Sequence, residues 1–243
     1  MNILILAAGQ DQLSQEDGYP LCLTEFDSLP LIQRVAISCQ SLNPRHLIVA
    51  FREEDVRKYH LDNVVKLLSP NAKILNIGEP TQGAACTALL AAESIDNDDE
   101  LLIVNGNELL NTDFKQIVEG FRNRKLDAGV VVFPSIHPRY SYVRLDENEF
   151  VVEATEKNPI SHNATAGFYW FSQGKNFVRA AKNLIRKDAR VNGNFYICPA
   201  FNELILEQQR IGITKVDGKI YNPLKSGRQI EQFEAALEKG KTV

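Results

Sequence analysis

Residues 2–9 read NILILAAG, in which the unbroken apolar run 3–6 passes directly into three small residues. Apolar side chains at successive positions are typical of a central strand of a parallel sheet, which is buried on both faces. Small residues after such a strand let a ligand approach the backbone, and ligands of open α/β sheets bind outside the carboxyl ends of the strands. The segment therefore predicts a buried strand that ends at a binding site, although a tight strand-to-loop turn explains the small residues equally well.

Beyond this segment, apolar runs bounded by turn residues predict strands, and apolar residues at helical spacing predict helices between them. The predicted strands are 2–6, 46–51, 73–77, 100–104 and 128–133, and the predicted helices are 31–41, 84–94 and 113–123. Strands that alternate with helices indicate an α/β protein whose doubly wound, mostly parallel sheet is covered on both faces.

The pattern changes after about residue 140. Alternating apolar and polar residues at 142–146 and 150–154, separated by a turn-rich segment, predict a hairpin. A further strand is predicted at 166–171 and a helix at 176–187. No linker rich in Pro, Gly or Ser separates these α+β elements from the first sheet. We therefore predict one domain over 1–243, with a first half of about 1–135 and a second half of about 136–243.

Composition excludes several classes of function. A formal net charge of −4, with Lys and Arg spread along the chain, gives no basic patch for nucleic acid or an acidic membrane. The apolar run at the start is too short for a membrane span and lacks the features of a signal peptide, so a cytoplasmic protein is expected. The four cysteines have no C-x-x-C spacing, which argues against a zinc site or a disulfide framework.

Six segments, in order along the chain, resemble the sugar-phosphate nucleotidyltransferases. They are LAAG (6–9), YPLCLTEFDSLPLIQ (19–33), TQGAACTALLAAESI (81–95), LLIVNGNELLNTD (101–113), the run 137–171 and NGNFYICPAFNELI (192–205). The likeness is greatest to a bacterial branch associated with capsule and surface-glycan synthesis. It implies the Rossmann-like nucleotidyltransferase fold, with the second half of the chain as an α+β sugar-binding lobe.

The reaction of that family explains which residues it needs. A phosphate oxygen of the substrate attacks the α-phosphate of a nucleoside triphosphate, and pyrophosphate leaves. Two anions must meet, so positioning and charge neutralisation supply most of the catalysis. The resemblance implies a nucleoside triphosphate and a phosphorylated small molecule as partners and, in an active enzyme, Mg²⁺ as cofactor. It implies nothing about oligomeric state. The nucleotide-binding residues that it implies are Leu6, Ala7, Ala8, Gly9, Gly83 and Ala84.

The sequence departs from the family where charges are expected. Residues 10–14, QDQLS, contain neither the second Gly nor the Arg of the family's loop. Leu21 stands in place of the Lys that follows the Pro, and Asn107 stands in place of the first metal-binding Asp. The C-terminal block 221–226, YNPLKS, contains no carboxylate where the second metal Asp is expected. Leucine cannot neutralise a triphosphate, and a neutral amide is a poorer Mg²⁺ ligand than a carboxylate.

Other residues provide candidate replacements. Glu108, next to Asn107, and Asp113 could supply a carboxylate, although a solvated face or, at Asp113, a helix N-cap is the more common role for such residues.

The sugar side of the family pattern is better preserved. Glu156 and Lys157 resemble the pair that contacts the sugar phosphate and hydroxyls, and Thr165 and Gly167 fall where the backbone comes close to the sugar. The competing interpretation of Glu156 and Lys157 is an exposed charged turn before Pro159. Aromatic residues between 140 and 170 are expected to pack on the sheet or to line a cleft.

Three functions are consistent with these observations. The first is an active nucleotidyltransferase, and the second is a non-catalytic relative that binds a ligand or a partner subunit. The third is a glycosyltransferase of related architecture, which would need an Asp-x-Asp metal motif. The one match, at residues 96–98, has the character of a solvated loop before a strand.

Overall fold

The computed structural model of the chain describes residues 1–9, 19–224 and 227–240. Strands alternate with helices through its first half. The strands are β1 (Asn2–Leu6), β2 (Glu25–Phe26), β3 (Leu29–Pro30), β4 (His46–Arg52), β5 (Lys73–Ile77), β6 (Leu101–Asn105), β7 (Glu108–Leu110), β8 (Ala128–Pro134), β9 (Ser141–Leu145), β10 (Val151–Glu156), β11 (Asn163–Phe171), β12 (Ile211–Lys215) and β13 (Tyr221–Pro223).

The α-helices of the described residues flank this sheet, and short 3₁₀ turns connect some of the elements. The helices are α1 (Leu31–Gln40), α2 (Glu53–Tyr59), α3 (Leu61–Lys66), α4 (Ala84–Leu89), α5 (Ala92–Ile95), α6 (Phe114–Asn123), α7 (Gly174–Arg186), α8 (Phe201–Leu206) and α9 (Gly227–Gly240). The 3₁₀ turns are Leu21–Leu23, Cys198–Ala200 and Gly218–Ile220.

Within the described residues, nine strands form one sheet in the order β10-β9-β11-β6-β1-β4-β5, with β8 paired to β11 and β12 to β8. Strands β1, β4, β5, β6, β8, β9 and β12 run in one direction, and β10 and β11 run in the other. The mostly parallel α/β sheet is confirmed. Its strands come from both sides of residue 135, since the antiparallel strand β11 joins β6 to β8 and β9.

Both faces of the sheet are buried, which explains the apolar run in β1. Ile3 and Ile5 belong to a core shared with α1 and α6, whereas Leu4 belongs to a core shared with α4, α7 and α8. Because successive strand residues point to opposite faces, a strand between two cores needs an apolar side chain at every position.

The five strands predicted in the first half and the hairpin of β9 and β10 are confirmed, with ends shifted by at most a few residues. One helix prediction is wrong: 84–94 is not a single helix. The peptide nitrogens of Leu90 and Ala91 bond to carbonyls three residues back, and this tighter winding separates α4 from α5. None of the helices in the described part of the chain has the length and apolar character needed to cross a bilayer.

Candidate functional site

A cleft of about 510 Å³ opens where β1 and β6 end. Leu6 and Asn105, the last residues of these parallel neighbours, both line it. Carboxyl ends of adjacent parallel strands are where open α/β sheets bind ligands, because the following loops diverge there. The cleft therefore lies at the position that the opening segment predicts.

Small residues line the floor beside β1. The Gly106 nitrogen donates to the Leu6 carbonyl at 2.8 Å, and a Cβ built on Gly106 would lie 2.7 Å from the Ala7 Cβ. Ala7 and Gly106 must therefore be small for the two loops to pack. Gly9 is exposed, and no heavy atom of the described residues lies within 4 Å of a Cβ built on it.

The segment from Thr81 to Ala84 forms the next part of the cleft wall. Gly83 has φ +110°, and a Cβ there would lie 2.4 Å from the Phe195 carbonyl oxygen. The Phe195 nitrogen donates to the Gln82 carbonyl at 2.7 Å, and the Ala85 nitrogen donates to the Phe195 carbonyl at 3.0 Å. Glycine is therefore required at position 83 for the backbone of the 194–197 loop to approach this closely.

Glu108 places a buried carboxylate in the cleft. It accepts a hydrogen bond from the Asn105 side-chain amide at 3.1 Å. Tyr221, on the paired strand β13, is buried nearby, and burial, followed by the charge of Glu108, raises the pKa of its phenol well above the ordinary value. Tyr221 is therefore a neutral phenol at physiological pH. Asn107 also lines the cleft, and its backbone carbonyl accepts from the Leu224 nitrogen at 3.0 Å.

The donor set around Asn107 does not fit a resident Mg²⁺ ion. Within the described ranges, no group of three or more His, Cys, Asp or Glu side chains is placed to hold a metal. Asn107 and Glu108 together offer one carboxylate and one neutral amide, whereas Mg²⁺ prefers carboxylate and phosphate oxygens in octahedral geometry. Asp113 does not contribute, because it caps α6 and accepts from the nitrogens of Lys115 and Gln116. The N-cap interpretation of Asp113 is confirmed.

The opposite wall comes from β9, β10 and β11. Glu156 is buried at the end of β10 and accepts a hydrogen bond from the Ser141 hydroxyl. The Thr165 and Tyr169 hydroxyls share a hydrogen bond of 2.9 Å. Burial, with the charge of Glu156 as a further cause, raises the pKa of Tyr169 well above its ordinary value. This wall thus holds one carboxylate among neutral hydroxyls, an arrangement suited to a ligand that carries hydroxyl groups.

Lys157 lies just outside the cleft. Its Nζ donates to the Tyr196 hydroxyl at 2.8 Å and lies 5.0 Å from the centroid of the Tyr196 ring, which does line the cleft. The backbone nitrogen of Lys157 donates to the Tyr140 carbonyl at 2.9 Å, and Lys157 itself has a positive φ of +55°. Glu156, Thr165 and Gly167 do line the cleft, so three of the four residues expected on the sugar side meet there.

Among the described residues, few cations line the cleft. Leu21 lines it with 2% of its surface exposed, so an apolar side chain occupies the place where the resemblance predicts a lysine. Arg52 lines it too, but it is paired with Asp55 at 2.7 Å and with Glu54 at 3.3 Å. Arg139 lines the opposite side. The departures predicted at 10–14, and residues 225–226 of the C-terminal block, lie outside the described residues.

Sequence reasoning placed Leu6 to Gly9, Gly83, Ala84, Asn107 and Glu108 in one site, and the structure brings all of them to the cleft. Their binding roles stay predictions. The residues that sequence reasoning missed are Arg52, Arg139, Ser141, Tyr196 and Tyr221. Arg139, Ser141 and Tyr196 fall inside quoted blocks of the resemblance, which is the signal that could have found them. Residues 96–98 form a loop away from the cleft, as predicted, and Asp96 and Asp98 pair with Lys182 and Lys175.

Comparison with known proteins agrees with this architecture. The family model described as nucleotidyl transferase matches residues 12–204. The bifunctional protein GlmU of Trichodesmium erythraeum (strain IMS101) is 30% identical over 185 residues, which cover 70% of this chain. The chain spans only 39% of the length of that relative.

Two solved structures share the fold. A nucleoside-diphosphate-sugar pyrophosphorylase from Vibrio cholerae RC9 superimposes with a TM-score of 0.81 at 17% identity, over 97% of this chain and 100% of that one. A UDP-glucose pyrophosphorylase complexed with UDP-glucose superimposes with a TM-score of 0.78 at 15% identity, over 98% of both chains. At these identities the likeness shows the fold alone.

Proposed function

The chain belongs to the nucleotidyl transferase family, and we propose that it transfers a nucleotidyl group from a nucleoside triphosphate to a sugar 1-phosphate or a similar phosphorylated small molecule. The product would be a precursor for a surface glycan, made in the cytoplasm where nucleoside triphosphates are available. The observation that carries the proposal is that one cleft collects the segments from Leu6 to Gly9 and from Thr81 to Ala84 together with Glu156, Thr165 and Gly167.

In the proposed reaction, a phosphate oxygen of the acceptor forms a bond to the α-phosphorus of the triphosphate. The bond from the α-phosphorus to the bridging oxygen breaks, and pyrophosphate leaves with the electron pair. The protein's contribution is to hold the two anions in line and to exclude competing geometries.

Each wall has its own part in this proposal. The exposed backbone at Gly9 and the start of α4 at Gly83 and Ala84, which both line the cleft, face the nucleotide. The Glu156 carboxylate accepts hydrogen bonds from hydroxyl groups of the acceptor substrate, and the Thr165 hydroxyl donates one to it. Lys157 turns from Tyr196 toward the acceptor phosphate, since an ammonium group binds phosphate more strongly than it binds a phenol.

The rate of transfer is expected to be low. Leu21 supplies no charge for the triphosphate, and Asn107 and Glu108 do not form a metal site on their own. Removing one preorganised electrostatic group typically costs about 10²-fold or more in rate. The same observation favours a second candidate function, a non-catalytic protein that keeps the cleft for binding a ligand or a partner subunit.

Thermal shift and pyrophosphate release together test both functions. The protein is mixed with each of four nucleoside triphosphates and with a panel of sugar 1-phosphates, with and without Mg²⁺. Ligands that bind the native state raise the melting temperature. Binding of both substrates with slow pyrophosphate release supports the transferase, whereas binding without any turnover supports the non-catalytic function. Failure of every triphosphate to bind would remove the basis of the proposal.

A further inference from the structure

Arg139 carries a positive charge at the cleft that no carboxylate in the described part of the chain neutralises. Its side chain is exposed and lines the cleft, and it belongs to none of the ion pairs formed by the described residues. Arg52, the other arginine of the cleft wall, is paired with Asp55 and Glu54. Of these two guanidinium groups, Arg139 is thus the one whose charge is available to a ligand.

The guanidinium of Arg139 is also held in place. Its Cζ lies 5.2 Å from the centroid of the Tyr140 ring. That ring is buried, with ring centroids of Phe133 and Tyr221 at 5.0 Å and 6.1 Å. A guanidinium that rests on a fixed aromatic face loses less conformational freedom when it binds an anion, and its donors can still reach the ligand in the ring plane.

A second observation points to a ligand on the same side of the cleft. The Tyr221 hydroxyl is buried and makes no hydrogen bond of normal geometry with a described residue, although it lies close enough to the Glu108 carboxylate for that group to raise its pKa. Buried polar atoms without a partner are rare in native proteins, and a functional role is one of the explanations for them. Arg139, Tyr140 and Tyr221 therefore form a strip of contacting side chains, with the exposed Arg139 guanidinium at one end and the buried Tyr221 hydroxyl at the other.

We propose that Arg139 binds the phosphate of the acceptor substrate, with the Tyr221 hydroxyl donating to a neutral oxygen of the same molecule. The inference rests on the proposed function and assigns the acceptor's anionic group to this wall. The arrangement of charge supports it, because Glu108 and Glu156 are buried carboxylates of the cleft and would repel a phosphate beside them, whereas Arg139 is exposed and attracts one. Arginine presents paired donors that match two phosphate oxygens.

The test is calorimetric titration of five proteins: wild type, Arg139→Gln, Arg139→Lys, Tyr221→Phe and the control Arg144→Gln. Arg144→Gln removes the same charge as Arg139→Gln, but the Arg144 side chain is paired with Glu153 and is not among the residues that line the cleft. The probes are glucose 1-phosphate, inorganic phosphate and whichever nucleoside triphosphate the wild type binds.

The expected result is that Arg139→Gln weakens binding of glucose 1-phosphate and inorganic phosphate about 10- to 100-fold, since a hydrogen bond to a charged group is worth this much. Arg139→Lys keeps part of the affinity, and Arg144→Gln changes it by less than about 3-fold. Triphosphate binding stays within about 3-fold in all five proteins. Tyr221→Phe weakens the binding of glucose 1-phosphate but leaves the binding of inorganic phosphate unchanged.

The inference is overturned if Arg139→Gln and Arg144→Gln change the affinity for the phosphate probes equally. It is also overturned if Arg139→Gln weakens binding of the triphosphate as much as binding of glucose 1-phosphate, or if the wild type binds neither phosphate probe. Failure of the proposed function is a separate result. It would show as a wild type that binds no triphosphate, while the two phosphate probes still report on Arg139.

Discussion

Gly167 and the carboxylate of Glu108 are in such close contact that a Cβ built on Gly167 would lie 1.9 Å from the Glu108 Oε2. Gly167 has φ +65° and lies where the pairing of β11 with β8 shifts register, between Thr165 and Tyr169. Bulges of this kind bend a strand and are common next to active sites. Here the bulge brings the backbone of β11 against the carboxylate beside Asn107.

Gly167→Ala should therefore destabilise the protein by about 2 kcal/mol or more, as measured by urea denaturation. About 1–2 kcal/mol comes from the left-handed conformation, and displacement of Glu108 adds to it. Gly193→Ala is the matched control, because Gly193 also has a positive φ, +80°, but no heavy atom within 4 Å of its built Cβ. Equal losses in the two variants would show that the contact with Glu108 adds nothing.

Gly83→Ala should destabilise the protein by about 2–4 kcal/mol, because the new Cβ would meet backbone atoms of Phe195 that cannot rotate away. The two backbone hydrogen bonds of Phe195 would be strained with it. Gly9→Ala, whose new Cβ meets no atom of the described residues, should change the free energy of unfolding by less than about 0.5 kcal/mol. If Gly9→Ala also leaves triphosphate binding intact in the thermal-shift assay, the proposed role of Gly9 at the nucleotide is wrong.

Leu21→Lys combined with Asn107→Asp should raise the rate of pyrophosphate release by about 10²-fold or more, since both charges are supplied to one cleft. Each single substitution should give a smaller increase, because groups that act as a unit are not additive. Leu21→Met controls for the loss of the buried leucine. The release assay is run with four triphosphates and a panel of sugar 1-phosphates. Robust turnover by the wild type would contradict the expectation of a slow enzyme.

Tyr221→Phe should leave stability at pH 7 unchanged or raise it by up to about 1 kcal/mol, because it removes a buried hydroxyl that has no partner among the described residues. The pKa of Tyr221 is raised by burial and then by Glu108, so the folded protein holds this proton more tightly than the unfolded chain does. Stability from this group is present below the unfolded pKa of about 10 and is lost as the pH rises further. The substitution should make that alkaline loss shallower in urea denaturation at several pH values.

Tyr169→Phe provides the contrast, since the pKa of Tyr169 is also raised by burial, but its hydroxyl is bonded to Thr165 at 2.9 Å. It should flatten the alkaline loss in the same way while costing about 1 kcal/mol at pH 7. A loss at pH 7 for Tyr221→Phe as large as that for Tyr169→Phe would mean that the Tyr221 hydroxyl has a partner.

Much of the fold could be predicted from local pattern. The apolar run in β1 and the alternation in β9 and β10 are direct consequences of which faces are buried, so the strands and the hairpin were identified. The break after Leu89 was not, because residues 84–94 have helical spacing throughout and the break consists only of two backbone hydrogen bonds that reach three residues back instead of four. The short helices α2 and α3 were not predicted either, because each contains too few residues to show a helical period of apolar side chains.

The candidate site was predicted in part. Segments that follow strands could be assigned to one edge of the sheet, which is why Leu6 to Gly9, Asn107 and Glu108 were placed together. Arg139 and Tyr221 were missed because their importance lies in what surrounds them. Whether an arginine is paired, or a phenol bonded, depends on residues far away in the chain.

The sequence by itself determined the class of fold, the strands that end at the cleft and the absence of the expected charges at Leu21 and Asn107, because these follow from residue type and periodicity. The tertiary structure alone decided that Lys157 lies against Tyr196, that Arg52 is neutralised by Asp55 and that Arg139 is not paired in the described residues. The physical reason is that charge pairing and hydrogen bonding act over a few ångströms between groups that the chain brings together only when the sheet has formed.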